Sequence, residues 1–166
     1  MKRAGAADDP PRRRAPGRTA CALTLQVATR SRRLPAASKL RRWARAALAR
    51  SAQVTLRIVG EREGESLNRE FRRGAYATNV LTFCYGRRSP QGCLAGDIVL
   101  CAPVIAREAR EQHKDLDAHY AHLTVHALLH LQGYRHARTR EARAMQAREV
   151  AILRRLGYRN PYATEG

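Results

Sequence analysis

Residues 125–136 read VHALLHLQGYRH, and this stretch decides how the second half of the chain is built. His126 and His130 are four apart, which on an α-helix puts both imidazoles on one face, about 6 Å apart along the axis. Gly133 is a natural helix stop, because glycine accepts the left-handed conformation that ends a helix. His136 follows three residues later, where a chain that has turned back returns to the same face. Two helical histidines and a third beyond a glycine stop form a set of neutral nitrogen donors. Zinc accepts such a set at about 2.0–2.1 Å per bond, and three protein ligands with a free position are the pattern of a catalytic rather than a closed structural site. The sequence therefore predicts one zinc ion per chain on His126, His130 and His136. Nickel, cobalt and copper suit the same donors.

The pair HALLH has the spacing of the zinc-protease motif HExxH, whose glutamate is the general base. Here that position is Ala127, so protease chemistry of that type is disfavoured. His122 lies one turn before His126 on roughly the same face and reads as a cleft-wall or surface residue rather than a fourth ligand. His113 and His119 read as solvated helix residues.

Working outward, Pro103 suits a first helical turn, and helices are expected at about 103–114, 118–132 and 139–156, the last stopped by Gly157. Upstream, Leu23, Leu25 and Val27 alternate as a strand, and so do Val54, Leu56 and Ile58. Residues 38–50 carry Leu40, Trp43, Ala44, Ala47 and Leu48 at helical spacing. A short helix spans about 64–71. TNVLTF at 78–83 and GDIVLC at 96–101 read as strands on either side of a Gly/Pro-containing, hairpin-like loop at 84–95. The expected class is α+β, one domain over 21–160 with a roughly four-stranded mixed sheet, about five helices and the metal site at the end of a central helix. Residues 1–20, rich in Pro and Arg, read as a disordered basic tail, and 161–166 as a C-terminal tail.

The chain has 166 residues, 44% of them hydrophobic, and a net charge of +18 with pI near 11.3. A charge of that size attracts polyanions and gains affinity by counterion release. RNA, DNA and anionic membranes are the candidate partners. Nearly all the excess is arginine, which together with the many alanines resembles the codon bias of a GC-rich genome, so a generally basic solvated surface is the competing reading. No apolar run is long enough to span a membrane. The N-terminus has no secretory h-region, so the bacterial or organellar interior is the expected compartment. Cys21, Cys84, Cys93 and Cys101 form no CxxC pair and are expected as free thiols in a reducing compartment.

The string from His126 to His136 resembles the signature of the YbeY family, bacterial and organellar endoribonucleases of ribosomal RNA maturation. Further blocks match in order: Leu67-Asn68-Arg69-Glu70-Phe71-Arg72, Thr78-Asn79-Val80-Leu81-Thr82-Phe83, Gly96-Asp97-Ile98, and Met145, Glu149, Ile152, Leu153 and Leu156-Gly157 near the end. The resemblance covers about residues 22–158. It implies a metal-dependent, cytoplasmic endoribonuclease on single-stranded ribosomal RNA, acting in small-subunit 3′-end maturation and ribosome quality control. Ribosome or ribosomal-protein contacts are implied too. Arg72 matches the family's functional arginine and becomes, with His126, the candidate catalytic residue. Its bland alternative is a surface ion pair with Glu70 or Glu65. Asn79 and Thr78 either line the same cleft or shape a turn, and Tyr134 packs beside the site.

Two positions depart from the family pattern. Ala127 replaces a glycine, a mild change in a helix. Arg135 replaces an aspartate beside the last histidine and reverses the charge there. If that aspartate orients a ligand imidazole, another acid must serve, and Asp97 and Glu141 are the candidates. This departure favours a competing reading, a metal-stabilised assembly factor that binds RNA without cutting it. A hydrolase of small substrates is a third, which the basic surface argues against.

Overall fold

The computed structural model describes residues 21–72, 74, 77–85 and 95–163. The expected basic tail at 1–20, the middle of the 84–95 loop and the last three residues lie outside this range. The order is β1 (Cys21–Ala28), α1 (Ala37–Ala47), β2 (Ala52–Val59), α2 (Glu61–Arg72), β3 (Val80–Tyr85), β4 (Ala95–Cys101), α3 (Ala102–Glu111), α4 (Leu116–Leu131) and α5 (Thr139–Arg155). The four strands form one mixed sheet in the order β1-β2-β4-β3. β1 pairs parallel with β2, and β2 parallel with β4. β3 closes one edge antiparallel to β4, Val80 opposite Leu100 and Tyr85 opposite Ala95.

Period-2 alternation divides the sheet into two faces. Val54, Leu56 and Ile58 of β2 join Ile98 and Leu100 of β4 in a large core with α1, α4 and α5, where Trp43, Leu128, Met145 and Ile152 are buried. Val59, Leu81, Val99 and Cys101 form a smaller core on the other face, against Val104 and Leu67 of α2. α4 is buried almost all round, as befits a central helix. Beyond its first turn, the positions of α4 that are not buried are His122, His126 and His130. They repeat every four residues, so the histidines occupy the one open stripe of an otherwise enclosed helix.

Two glycines let the layers meet. A Cβ on Gly96 would lie 2.4 Å from Phe83 O and 2.7 Å from a Leu131 methyl, so the bare backbone lets the end of α4 sit directly on β4. A Cβ on Gly64 would lie 2.9 Å from Cys101 Sγ. Gly64 therefore packs inside α2 rather than opening it, and the helix begins earlier than expected, at Glu61, with Glu61 and Glu63 in its favourable first turn. α1 ends at Ala47, sooner than its apolar spacing suggests. Gln132 of the α4 terminus donates to Ala47 O (2.8 Å) and accepts from Ala49 N (2.8 Å), capturing the chain as it leaves α1. Cys84 is disulfide-bonded, against the expectation of free thiols, whereas Cys21 and Cys101 are free.

Candidate metal centre

Asp115 caps α4 by accepting from Ala118 N at 3.0 Å, and Pro103 lies in the first turn of α3 as expected. At the other end of α4, Gly133 takes φ 95°. The Tyr134 N–H reaches back to Leu129 O (3.1 Å), and that of Gly133 to His130 O (3.1 Å). This C-terminal closure reverses the chain and carries His136 back over the helix. Its ring centroid lies 5.7 Å from that of His126 and 4.8 Å from that of His130, and the latter two are 4.6 Å apart. One ligand atom from each of the three lies within 4.8 Å of the others, and no fourth His, Cys, Asp or Glu joins this set among the described residues.

The hydrogen bonds fix which nitrogens are bare. His130 Nδ1 donates to Tyr134 O at 3.0 Å, which leaves Nε2 with its lone pair. His126 Nδ1 donates to a Glu149 oxygen and likewise leaves Nε2 bare. These two Nε2 atoms face each other at 3.1 Å. Burial, reinforced by the neighbouring His126 and His136 and less by Arg135, pushes His130 down to about 4 against the opposing Tyr134 bond, so His130 itself carries no charge near neutral pH. A shared cation would satisfy two lone pairs so placed. Two corners of a zinc tetrahedron with bonds of 2.0–2.1 Å lie about 3.3 Å apart, close to the separation seen. The donor set therefore fits a tetrahedral transition metal.

Glu149 is the residue that sequence reasoning missed as a site group. Its carboxylate is fully buried and binds His126 with one oxygen. The other oxygen takes bonds from Tyr162 OH and, at 3.3 Å, His122 Nε2. Burial alone would raise its pKa, but the bonds from His122, His126 and Tyr162 outweigh that and hold it down to about 2. Neither candidate acid named from sequence takes this place. Asp97 accepts from Tyr85 OH at 2.7 Å, and Glu141 is exposed in the first turn of α5. Arg135 is exposed, and His136 makes no hydrogen bond among the described residues. The cluster is thus uneven, with two of its histidines held from behind and one, beside Arg135, not held.

The other candidates fall into two groups. Arg72 lies at the end of α2 and donates to Thr82 O of β3 at 3.1 Å. Glu65, a partner that sequence allowed it, pairs instead with Arg69 at 2.7 Å. Thr78 is half-buried. Asn79 donates to both oxygens of Glu108 (3.2 and 3.1 Å) and accepts from Cys101 N, fixing the start of β3. Glu108 also meets His119 Nε2 at 2.8 Å. His119 is not solvated, as its spacing suggested, but buried, and burial lowers its pKa against the pull of Glu108. His113 sits in the turn after α3 with φ 52°. His122 is a partner of Glu149 and Tyr162 rather than a plain surface residue. Tyr134 packs against the main core.

Comparison with known proteins extends the likeness over most of the chain. The family model described as Endoribonuclease YbeY matches residues 26–157. A protein of that name from Nitrosospira multiformis is 50% identical, the match covering 93% of this chain and 88% of the relative. One from Aromatoleum aromaticum is 53% identical over 86% of this chain and 92% of its own. Among solved structures, TM1509 from Thermotoga maritima is similar at a TM-score of 0.51 and 17% identity, covering 86% of this chain and 99% of that one, a likeness of fold.

Proposed function

The chain belongs to the YbeY family, and from that premise we propose that it is a zinc-dependent endoribonuclease, a hydrolase that cuts single-stranded ribosomal RNA. The reading includes small-subunit 3′-end maturation and ribosome quality control, in the cytoplasm and in contact with the ribosome or its proteins. The observation that carries it is the pair of bare Nε2 atoms of His126 and His130 at 3.1 Å, joined by the ring of His136. His126, His130 and His136 would hold the ion. When bound, it supplies Lewis acidity at a phosphodiester.

The chain's own residues do the rest. Glu149 keeps the proton of His126 on Nδ1, and the Tyr134 carbonyl does the same for His130, so both rings present a neutral Nε2. Arg135 stands exposed beside the ligands, where its planar fork suits a phosphate with two hydrogen bonds. Arg72 is the proposed second cation, for charge that builds on the phosphoryl group during cleavage. Its bond to Thr82 O uses one arm of the guanidinium.

Purified protein should contain about one equivalent of metal, and His126→Ala and His130→Ala should each remove it together with cleavage of a single-stranded ribosomal fragment. Metal retained in both variants would overturn the site, and full-rate cleavage by Arg72→Glu would overturn the role of Arg72. The second reading, an RNA-binding assembly factor without cleavage, draws on Arg135 in place of an aspartate. Binding without cutting by zinc-loaded wild-type protein would favour it.

A further inference from the structure

The excess positive charge is not spread evenly. Between residues 135 and 155, Arg135, Arg138, Arg140, Arg143, Arg148, Arg154 and Arg155 are exposed. Their side chains make no hydrogen bond or ion pair among the described residues. The same stretch holds one exposed acid, Glu141, since Glu149 is buried. On the α2–α3 side acids are interspersed and three arginines are matched, Arg57 of β2 with Glu63 at 2.7 Å, Arg69 with Glu65 at 2.7 Å and Arg107 with Glu61 at 3.6 Å, while Arg62 and Arg110 have no acid partner among the described residues. Codon bias would load both sides alike, and it does not explain why one side lacks acids.

A shallow groove of about 420 Å³ runs along this unpaired face, between α5 and residues 160–162. Ala147, Val150 and Ala151 give it a small-residue apolar floor, and Arg143 and Arg154 line it, eleven residues apart and so about 16 Å along the helix. The ring of Tyr162 forms a wall and is 40% exposed. That ring is held in place. Its hydroxyl donates to buried Glu149, its N–H bonds Asn160 Oδ1 at 2.9 Å, and His122 meets it edge-on at 5.2 Å. Glu149 in turn bonds the metal-site residue His126, so the groove abuts the back of the centre.

An apolar slot with a fixed aromatic wall and a cation toward each end matches the recognition of single-stranded RNA, in which bases stack on aromatic rings and arginines take the flanking phosphates. We propose that this groove is a substrate subsite, which seats a short run of the RNA strand with one base against Tyr162 while Arg143 and Arg154 hold phosphates toward its two ends. The inference rests on the endoribonuclease reading and adds where the strand runs.

The test uses zinc-loaded full-length protein and a 2′-O-methyl 12-mer, with binding followed by fluorescence polarisation as salt is varied. The Arg143→Ala/Arg154→Ala pair is expected to weaken binding about tenfold and to lower the slope of log affinity against log salt by about 1.4, at 0.7 per phosphate contact. Arg62→Ala/Arg110→Ala removes the same charge elsewhere and should change the slope little. Tyr162→Leu should weaken binding about tenfold, whereas Tyr162→Phe, which keeps the stacking ring and loses only the hydroxyl bond to Glu149, should lose clearly less than Tyr162→Leu. Equal losses in the two arginine pairs, no loss in the groove pair, or Tyr162→Phe as weak as Tyr162→Leu would overturn the subsite. If wild-type protein cuts RNA and the groove variants behave like it, this inference alone fails. If wild type neither binds nor cuts RNA, the functional reading fails with it.

Discussion

A neutral imidazole offers a metal one nitrogen only when something holds the proton on the other, and for His126 that something is Glu149. Replacing a hydrogen-bonded partner behind a ligand histidine typically costs 10–100-fold in metal affinity. Glu149→Gln should therefore weaken zinc binding by about that factor, with helix content unchanged by circular dichroism and Glu149→Asp recovering part of the loss. Affinity equal to wild type in the glutamine variant would remove the orienting role. The opposite change is expected at Arg135, which is exposed beside the unheld ligand His136 and lowers the basicity of His130. Arg135→Asp would replace that cation with a carboxylate, and we expect zinc affinity to rise by roughly tenfold in competition with a chromophoric chelator. That the three histidines come together was legible in the sequence because an i, i+4 pair and a glycine stop are local signals. Glu149 was not, because it reaches His126 from 23 positions away, across a contact between two helices that no local spacing records.

At the scale of elements, the sequence carried helix positions well and their ends less well. The apolar period of α1 runs on to Leu48, but the capture of Ala47 and Ala49 by Gln132 stops the helix first, a tertiary effect that no propensity encodes. The helix expected over about 64–71 starts three residues earlier, and only the packed structure reveals that Gly64 lies inside it because Cys101 leaves no room for a Cβ. Strand existence was legible from alternation. Parallel pairing of β1, β2 and β4 was not, since period-2 patterns carry no direction. Gly96 tests how strictly these layers are set. A methyl group there collides with backbone at Phe83 O and with Leu131, and the backbone side of that clash cannot rotate away. Gly96→Ala should cost about 2–3 kcal/mol in urea unfolding, and should also weaken zinc binding because the last turn of α4 carries His130. A variant as stable as wild type would mean that β3 or α4 shifts freely, and that the centre tolerates such a shift.

For the whole molecule, the centre makes stability depend on acid in a direction that its pKa values fix. His130 titrates near 4 in the fold against an ordinary 6.5, so between those values the unfolded chain binds the proton that the native chain refuses. Stability therefore falls as pH drops from about 6.5 to 4, and above 6.5 this group contributes no penalty. Glu149 has its native value depressed to about 2 from 4.5. Its contribution is fully present above 4.5 and is lost as pH falls toward 2. Both groups act in the same direction, in adjoining windows. The metal-free protein should thus show a urea midpoint that is flat above pH 7 and declines from about 6.5 downward without a plateau before 4. Zinc should postpone the decline, because ligands held by the ion must be released before they can be protonated. In His130→Phe, which keeps an aromatic ring but cannot be charged, the upper part of the decline should shrink to the share of buried His119, whose pKa burial also lowers, while the part below 4.5 stays. An upper part as steep as in wild type would assign it wholly to groups other than His130.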